Sequence, residues 1–274
     1  MKIGITGASG NLGSYLKKIL KNDDLVYFKK RIENKNDVRN WIRENDFDSI
    51  IHLAAIAPTA IVNNDKKRAL KINFQGTKNI VNAINRFANK KIWFFYSSTS
   101  HVYKFNNNAI KERNKTNPSS YYGRTKLLGE NYIVNNSHNF TPCVGRIFSY
   151  TSIEQSNKFI IPAILKKFHS KRKKINFQNL NHVRDFLPIE DICLAIKTLI
   201  KKKGKGIYNI CSNKKTNLQD IVLILNTKYK KEITFSNNSG STILFGCNKK
   251  IRKIGWKPLK IKYADYLLKK DRFI

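Results

Sequence analysis

No stretch of this sequence approaches the roughly 20 consecutive apolar residues that a membrane-spanning helix needs, so no membrane association is expected. Nothing at the amino terminus reads as a secretory leader, because Met1-Lys2-Ile3-Gly4-Ile5-Thr6-Gly7 breaks into glycine too early. Cysteine is scarce, and Cys143, Cys193, Cys211 and Cys247 lie far apart with no Cys-x-x-Cys pair. That spacing argues against a zinc site, predicts no bound metal, and fits reduced thiols in a cytoplasm. Acids are outnumbered, 18 against 53 Lys and Arg, for a formal net charge of +35. Such a balance invites a nucleic-acid reading, since clustered cations bind phosphates by releasing counterions. The cations are spread along the whole chain among Asn and Ile, however. The densest runs, Lys166-Lys167 to Lys171-Arg172-Lys173-Lys174 and Lys201-Lys202-Lys203, read as solvated helix ends. Basicity therefore points to small anions rather than to a nucleic-acid partner.

What is present suffices for a substantial core. The 274 residues are 41% hydrophobic, enough for one large domain or a dinucleotide domain with a smaller appendage. Strand patterns at Lys2 to Thr6, Leu25 to Phe28, Ser49 to Ala55 and Lys91 to Ser98 alternate with helical ones. The helices are expected at Leu12 to Lys21, Val38 to Asn45, Ala69 to Ala88 and Tyr121 to Asn135. This alternation predicts an α/β fold with a Rossmann-type, doubly wound parallel sheet. Beyond Tyr150 the rhythm loosens: a polar loop at Thr151 to Asn157, helices at Phe159 to His169 and Ile189 to Ile200, and a short strand at Ile175 to Phe177. We expect a nucleotide-binding domain over residues 1–150 and a smaller substrate-binding region over 151–274, with part of 183–212 packing back onto the first.

Thr6-Gly7-Ala8-Ser9-Gly10-Asn11-Leu12-Gly13 sits where the first strand hands over to the first helix. Glycines let the backbone turn tightly and approach a pyrophosphate, while the helix N-terminus supplies N–H donors. The second strand then ends in Phe28-Lys29-Lys30-Arg31, with no acid before Glu33. A ribose 2′-phosphate suits Lys29, Lys30 or Arg31 better than a carboxylate would, which predicts NADP(H) as the preferred cofactor with NAD(H) possible.

Further on, Tyr122-Gly123-Arg124-Thr125-Lys126 places a phenol and an amine on one helix face. An ammonium beside a phenol is expected to lower the phenol's pKa and tune it for proton exchange with a carbonyl or carbinol oxygen. Thr99, closing the Ser97-Ser98-Thr99 strand end, offers a hydroxyl for the same oxygen.

Together these residues resemble the extended short-chain dehydrogenase/reductase superfamily, specifically its nucleotide-sugar epimerases, dehydratases and reductases. The likeness runs through His52-Leu53-Ala54-Ala55, Asn73-Phe74-Gln75-Gly76-Thr77, Ser97 to Tyr103, Arg146-Ile147-Phe148, Arg184 to Asp191 and Gly255-Trp256-Lys257-Pro258. It implies that Gly7, Ser9, Gly10, Asn11, Leu12 and Gly13 surround the pyrophosphate, with Leu53, Ala54, Ala55, Asn73 and Ser97 along the cofactor. Lys126 would hold the nicotinamide ribose, Ile147 and Phe148 would lie near the nicotinamide, and Ser149 stands where many relatives carry a substrate-binding Asn. Arg184 would touch the nucleotide diphosphate of a nucleotide-sugar substrate, or else pair with Asp185.

Departures from the resemblance bear on the reaction. Relatives that dehydrate sugars look like Thr-Asp-Glu where this chain has Thr99-Ser100-His101, so both carboxylates are missing. The GDP-fucose synthase branch has a His where Lys158-Phe159-Ile160-Ile161-Pro162 carries none. His101 reads either as an acid/base group or as a residue that packs on the substrate. The expected activity is reduction of a nucleotide-activated 4-keto sugar, 6-deoxy or not, with a 4-epimerase, an epimerase-reductase using His101, or a non-catalytic cofactor-sensing module as alternatives. A homodimer is expected, because in enzymes that look like this one the equivalents of the helices at Ala69 to Ala88 and Tyr121 to Asn135 pair across a two-fold axis.

Overall fold

Ile3, Ile5, Ile50, Ile51, Phe94 and Phe95 are wholly buried, so consecutive residues of one strand are covered on both faces. That is the burial of a parallel sheet lying between two helix layers, and it explains strands that read as continuous apolar runs. The computed structural model describes residues 1–152, 154–259 and 263–270. Its first half runs β1 (Lys2–Thr6), α1 (Asn11–Ile19), β2 (Asp24–Phe28), α2 (Lys35–Arg43), β3 (Ser49–His52), α3 (Thr59–Asn64) and α4 (Lys66–Leu70). A π turn (Lys71–Gln75), α5 (Gly76–Phe87), β4 (Ile92–Thr99), a 3-10 turn (Ser100–Val102), α6 (Tyr121–Asn135) and β5 (Phe140–Ile147) follow.

The remainder comprises β6 (Ser149–Thr151), α7 (Ile160–Phe168), β7 (Lys174–Gln178), β8 (Val183–Arg184), β9 (Phe186–Pro188), α8 (Ile189–Lys201) and β10 (Gly206–Ile210). It ends with β11 (Thr216–Asn217), α9 (Leu218–Tyr229), β12 (Glu232–Ser236), β13 (Ile243–Leu244), α10 (Lys249–Lys253) and α11 (Tyr263–Lys270). The main sheet has the order β10-β5-β4-β3-β1-β2, and every neighbouring pair is parallel. The chain is therefore doubly wound, with its topological switch between β1 and β3, where ligands bind beyond the strands' carboxyl ends. α8 and β10 join the core of that sheet, while α7, β7, α9 and β12 enclose a separate apolar cluster around Phe168, Phe177 and Leu225. No described helix is long and apolar enough to cross a membrane.

Two elements differ from the sequence expectation, for one physical reason. The strand expected over Ser49 to Ala55 stops at His52, and the helix expected over Ala69 to Ala88 is interrupted by the π turn. Where β3 stops, side chains replace the ladder: Ala54 N–H donates to Thr6 Oγ1 (3.3 Å), and Asn73 takes Ile56 N–H (2.8 Å) and returns a bond to Ile56 O (3.0 Å). Clasping that segment draws Asn73 inward from the helix, and wide turns of this kind cluster at functional sites.

His52 sits at the centre of this arrangement. Thr77 Oγ1 donates to Asn73 O (2.7 Å), so His52 Nε2 donates to Thr77 Oγ1 (3.1 Å) and Nδ1 accepts from the Thr6 hydroxyl (2.6 Å). Burial first, and the charge of Lys126 second, push this imidazole down to about 3. A histidine depressed in the folded state contributes its stability in full above the unfolded value of about 6.5, and loses it as pH falls towards the folded one. We expect His52 to remove about 1.4 kcal/mol of unfolding free energy per pH unit below pH 6. Urea titrations between pH 7 and 5 should show that slope flattened in His52→Gln. Identical slopes in the two proteins would show that His52 accepts a proton in place.

Candidate active site

The glycine loop is a cradle with its side chains pared away. Gly7 has φ +70°, and a Cβ there would stand 2.7 Å from Ala54 N. A Cβ on Gly13 would press into the Gly7 carbonyl oxygen, so helix and loop approach only because neither residue has one. No side chain caps α1, whose N-cap is Gly10, and this leaves its first amides open to a ligand. Asn11 accepts from the Ser152 hydroxyl through Oδ1 (2.8 Å), while its buried Nδ2 has no partner. Open helix amides, an orphaned donor and absent Cβ atoms are what a pyrophosphate requires. The residues present fit a dinucleotide.

Beside this loop lies a cavity of about 590 Å³, lined by Gly7, Ala8, Ser9, Lys29, Lys30, Arg31, Ala54 and Ile72. Lys17 and Arg68 also line it, two cations that the sequence reading did not single out. Lys30 leans towards Asp37 (3.4 Å), so Lys17, Lys29, Arg31 and Arg68 are the lining cations with no acid partner in the ion pairs of the described residues. Gly10, Leu12 and Gly13 shape the loop, and Leu53 packs on the core with its amide on Thr6 O (3.2 Å). Ala55 follows without lining this cavity. The amide of Asn73 is fully committed to Ile56 and Thr125, so its part is to hold the Ala54 to Ile56 segment in place.

At the other end of the switch, Ser120 caps α6 by accepting Gly123 N–H (3.1 Å). A Cβ on Gly123 would strike the His101 carbonyl, so this glycine lets the helix press on the 3-10 turn. Tyr122 and Lys126 face inward from α6 towards Thr99, whose Oγ1 accepts His101 N–H (3.3 Å). The expectation that Lys126 pulls the Tyr122 phenol down is corrected. Burial raises the phenol well above its ordinary value, Tyr150 adds to the rise, and a hydrogen bond with Thr99 opposes it. Lys126 is itself driven down to about 7 by burial, with Glu130 acting against the fall, and its Nζ lies 4.2 Å from the centre of the Tyr96 ring. Desolvation outweighs the pairing of the two groups. At neutral pH Tyr122 holds its proton and is poised as a donor.

Next to Tyr122 lies His101, with Arg184 close enough to act on its charge. The His101 imidazole lies edge-on to Tyr122 (centroids 6.0 Å apart), reaches Ser120 Oγ (3.4 Å), and is held near pKa 4 by burial and by Arg184. It is therefore neutral, and too weak a base to favour the acid/base reading over the packing one. Arg184 does not pair with Asp185, which instead accepts from the amides of Ser212 (2.7 Å), Asn213 (3.0 Å) and Gly246 (3.1 Å). The guanidinium rests on Thr242 O and Oγ1 (both 2.9 Å) and over Phe105, and burial lowers its pKa to about 10. A half-buried cation whose hydrogen bonds among the described residues all go to neutral groups is a ready partner for an anion.

Ser97 and Ser149 are partly exposed at adjacent strand ends, whereas Ile147 is sunk in the main core. Phe148 packs with Tyr103 and Leu244, so its ring points away from the glycine loop cavity. Glu130 and Arg146, joined by a buried ion pair (2.6 Å), also escaped the sequence reading as site residues. Their signal was the repeat of Tyr122, Lys126 and Glu130 at intervals of four. Among the described residues, no group of three or more His, Cys, Asp or Glu is placed to hold a metal ion.

A six-stranded doubly wound sheet, a glycine loop and a buried Tyr-x-x-x-Lys pair define a dinucleotide-dependent enzyme fold. Comparison with known proteins narrows this. The model of the GDP-mannose 4,6 dehydratase family matches residues 17–259. The GDP-6-deoxy-D-talose 4-dehydrogenase of Aggregatibacter actinomycetemcomitans is 30% identical over 222 residues, spanning 77% of this chain and 74% of that protein. Among solved structures, RMD from Pseudomonas aeruginosa complexed with NADPH superposes with TM-score 0.86 at 20% identity, over 100% and 99% of the two chains. The UDP-glucose 4-epimerase of Thermus thermophilus in complex with NAD gives TM-score 0.88 at 17% identity over 99% of each. The chain belongs to the GDP-mannose 4,6 dehydratase family, among the extended short-chain dehydrogenases/reductases that comprise nucleotide-sugar epimerases, dehydratases and reductases.

Proposed function

We propose that this protein is an NADP(H)-dependent reductase of a nucleotide-activated 4-keto-6-deoxy sugar. The observation that carries this is the placement of Tyr122: its phenol meets the Thr99 hydroxyl at the end of β4, with Lys126 one turn further along the same face of α6. A proton donor of that kind suits a carbonyl oxygen gaining negative charge. The nicotinamide supplies the hydride. Tyr122 passes its phenolic proton to the substrate oxygen, Thr99 holds that oxygen, and Lys126 stabilises the phenolate left behind and binds the ribose. Arg184, a half-buried cation with no acid partner among the described residues, receives the diphosphate, and His101 and Ser149 line the sugar. The related 4-dehydrogenase acts on a GDP-6-deoxy sugar at the same carbon, and this agrees with the reading. Ser100 and His101 stand where dehydrating relatives carry carboxylates, which speaks against sugar dehydration.

The direct test uses NADPH with GDP-4-keto-6-deoxymannose. Tyr122→Phe should lower turnover by about 10²-fold or more while cofactor affinity is retained. Near wild-type turnover in that variant would remove Tyr122 from the chemistry.

Cofactor choice follows from the cavity lined by Lys29, Arg31 and Arg68. We expect NADPH to bind more tightly than NADH, with the gap shrinking as salt rises, because exposed cations are screened. Equal affinities at low salt would favour the 4-epimerase reading.

We also propose a homodimer built on α5 and α6. Leu128 and Val134 are 42% and 53% exposed on α6, and Tyr132 OH bonds Asn82 Oδ1 (2.7 Å), locking the two helices into one surface. Light scattering at micromolar protein should give twice the chain mass; monomer alone would refute the dimer.

A further inference from the structure

Lys126 and Glu130 are 1% and 2% exposed, and with Tyr122 they recur every four residues along α6, so the three share one helix face. The Glu130 carboxylate is fully engaged. Arg146 of β5 grips it through Nη2 to Oε2 (2.6 Å) and through Nε to both oxygens (3.1 Å each). On the other side, the Ser98 hydroxyl donates to Oε1, and Ser98 immediately precedes Thr99. Arg146 is fixed in turn by Glu112 O (3.2 Å) and by the Tyr103 ring, 4.6 Å away.

A buried ion pair is a poor way merely to fasten a helix to a strand, since apolar residues of equal volume commonly do as well or better. The arrangement makes sense if the carboxylate has a second task. We propose that Glu130 is a positioning residue for the Tyr122–Lys126 pair, its carboxylate fixing the Thr99 end of β4 and presenting one negative charge to Lys126 along the same helix face. The proposal rests on the reading of Tyr122 and Lys126 as the reacting pair.

The surroundings of Lys126 give Glu130 this role. β4 presents the Tyr96 ring, β3 the neutral His52, and β5 Arg146 behind Glu130. The 3-10 turn contributes neutral His101, set against Tyr122. α4 and the π turn carry only exposed cations, and α3 has no ionisable residue. On α5, Lys78 lies over Phe74 and Tyr132, and Arg86 is exposed. Among these described groups Glu130 is the one acid, and its attraction opposes the burial that strips Lys126 of its proton.

The test begins with the cofactor-free protein carrying lysine labelled with ¹³C at Cε. One lysine should titrate near 7, against an ordinary value of 10.5, and should vanish from the spectrum in Lys126→Met. Glu130→Gln should move that midpoint down by about one unit or more, while Glu130→Asp, which keeps the charge, should leave it within about half a unit. Should Glu130→Gln fold poorly with Arg146 unpaired, the double variant Glu130→Gln/Arg146→Met should still move the midpoint down, but by less than the single variant, because the opposing charge of Arg146 leaves with the carboxylate. With NADPH and ketosugar, the alkaline limb of kcat/KM should move down in parallel. A loss of turnover without any change in lysine midpoint or pH profile would reduce Glu130 to a structural strut and overturn the proposal. A midpoint that moves in a protein devoid of ketosugar turnover would sustain the electrostatic role of Glu130 and overturn the reductase reading instead.

Discussion

A single chain of buried hydrogen bonds ties the two ends of the site together. It runs from the Thr6 hydroxyl to His52, from His52 to Thr77, from Thr77 to the carbonyl of Asn73, and from the Asn73 amide to Thr125. Thr125 then donates to the carbonyl of Tyr122 (2.8 Å). Thr6, His52, Asn73, Thr77 and Thr125 are all buried, so a broken link among them strands a polar group at a cost of about 1–3 kcal/mol. The strand that opens the glycine loop and the helix that carries Tyr122 are thereby set in one register. The early end of β3 and the π turn before α5 are consequences, because both bring backbone within reach of Asn73.

Charge is distributed by a different logic inside than outside. The surface carries most of an excess of 53 cations over 18 acids, and much of it faces water. The buried acids are each given a task. Glu130 takes Arg146 and Ser98, Asp185 gathers three amides from the turns after β10 and β13, and Asp191 accepts Leu259 N–H (2.8 Å) at the foot of α8. Using Asp185 for backbone leaves Arg184 without a carboxylate. A positive field over the whole surface and a half-buried guanidinium with no acid partner among the described residues would act in the same sense on an approaching anion.

The sheet was legible because both of its faces are buried, and burial writes continuous apolar runs such as Ile92 to Tyr96. The glycine loop and the Tyr122–Lys126 spacing were legible because each depends on fixed local offsets. Beyond Tyr150 the helices at Phe159 to His169 and Ile189 to Ile200 and the strand at Ile175 to Phe177 were legible, but the short strands around them were not. β8, β11 and β13 are two-residue strands that hold one another through Val183 and Arg184, and no periodicity develops over such lengths. The side-chain clasps were hidden for a related reason: Asn73 to Ile56 and Asn209 to Ile110 span 17 and 99 residues, and nothing local marks either partner. Protonation states were the hardest to foresee. A Tyr-x-x-x-Lys pair suggests a lowered phenol, yet burial of both groups reverses the expectation.

That reversal bears on which chemistry the site favours. A phenol kept protonated gives up its proton readily only when a neighbouring oxygen acquires charge, which is the course of ketone reduction. Removing a proton from a ring carbon beside the ketone asks for a base near neutrality, and His101, held near 4 between Tyr122 and Arg184, is a poor one. Bringing it into range would require relief of burial or neutralisation of Arg184, the two causes of its depression. A diphosphate on Arg184 would do the second and leave the first, the larger, in place. The site is thus biased towards proton donation at oxygen and away from exchange at carbon, and a diphosphate on Arg184 would leave that bias in place.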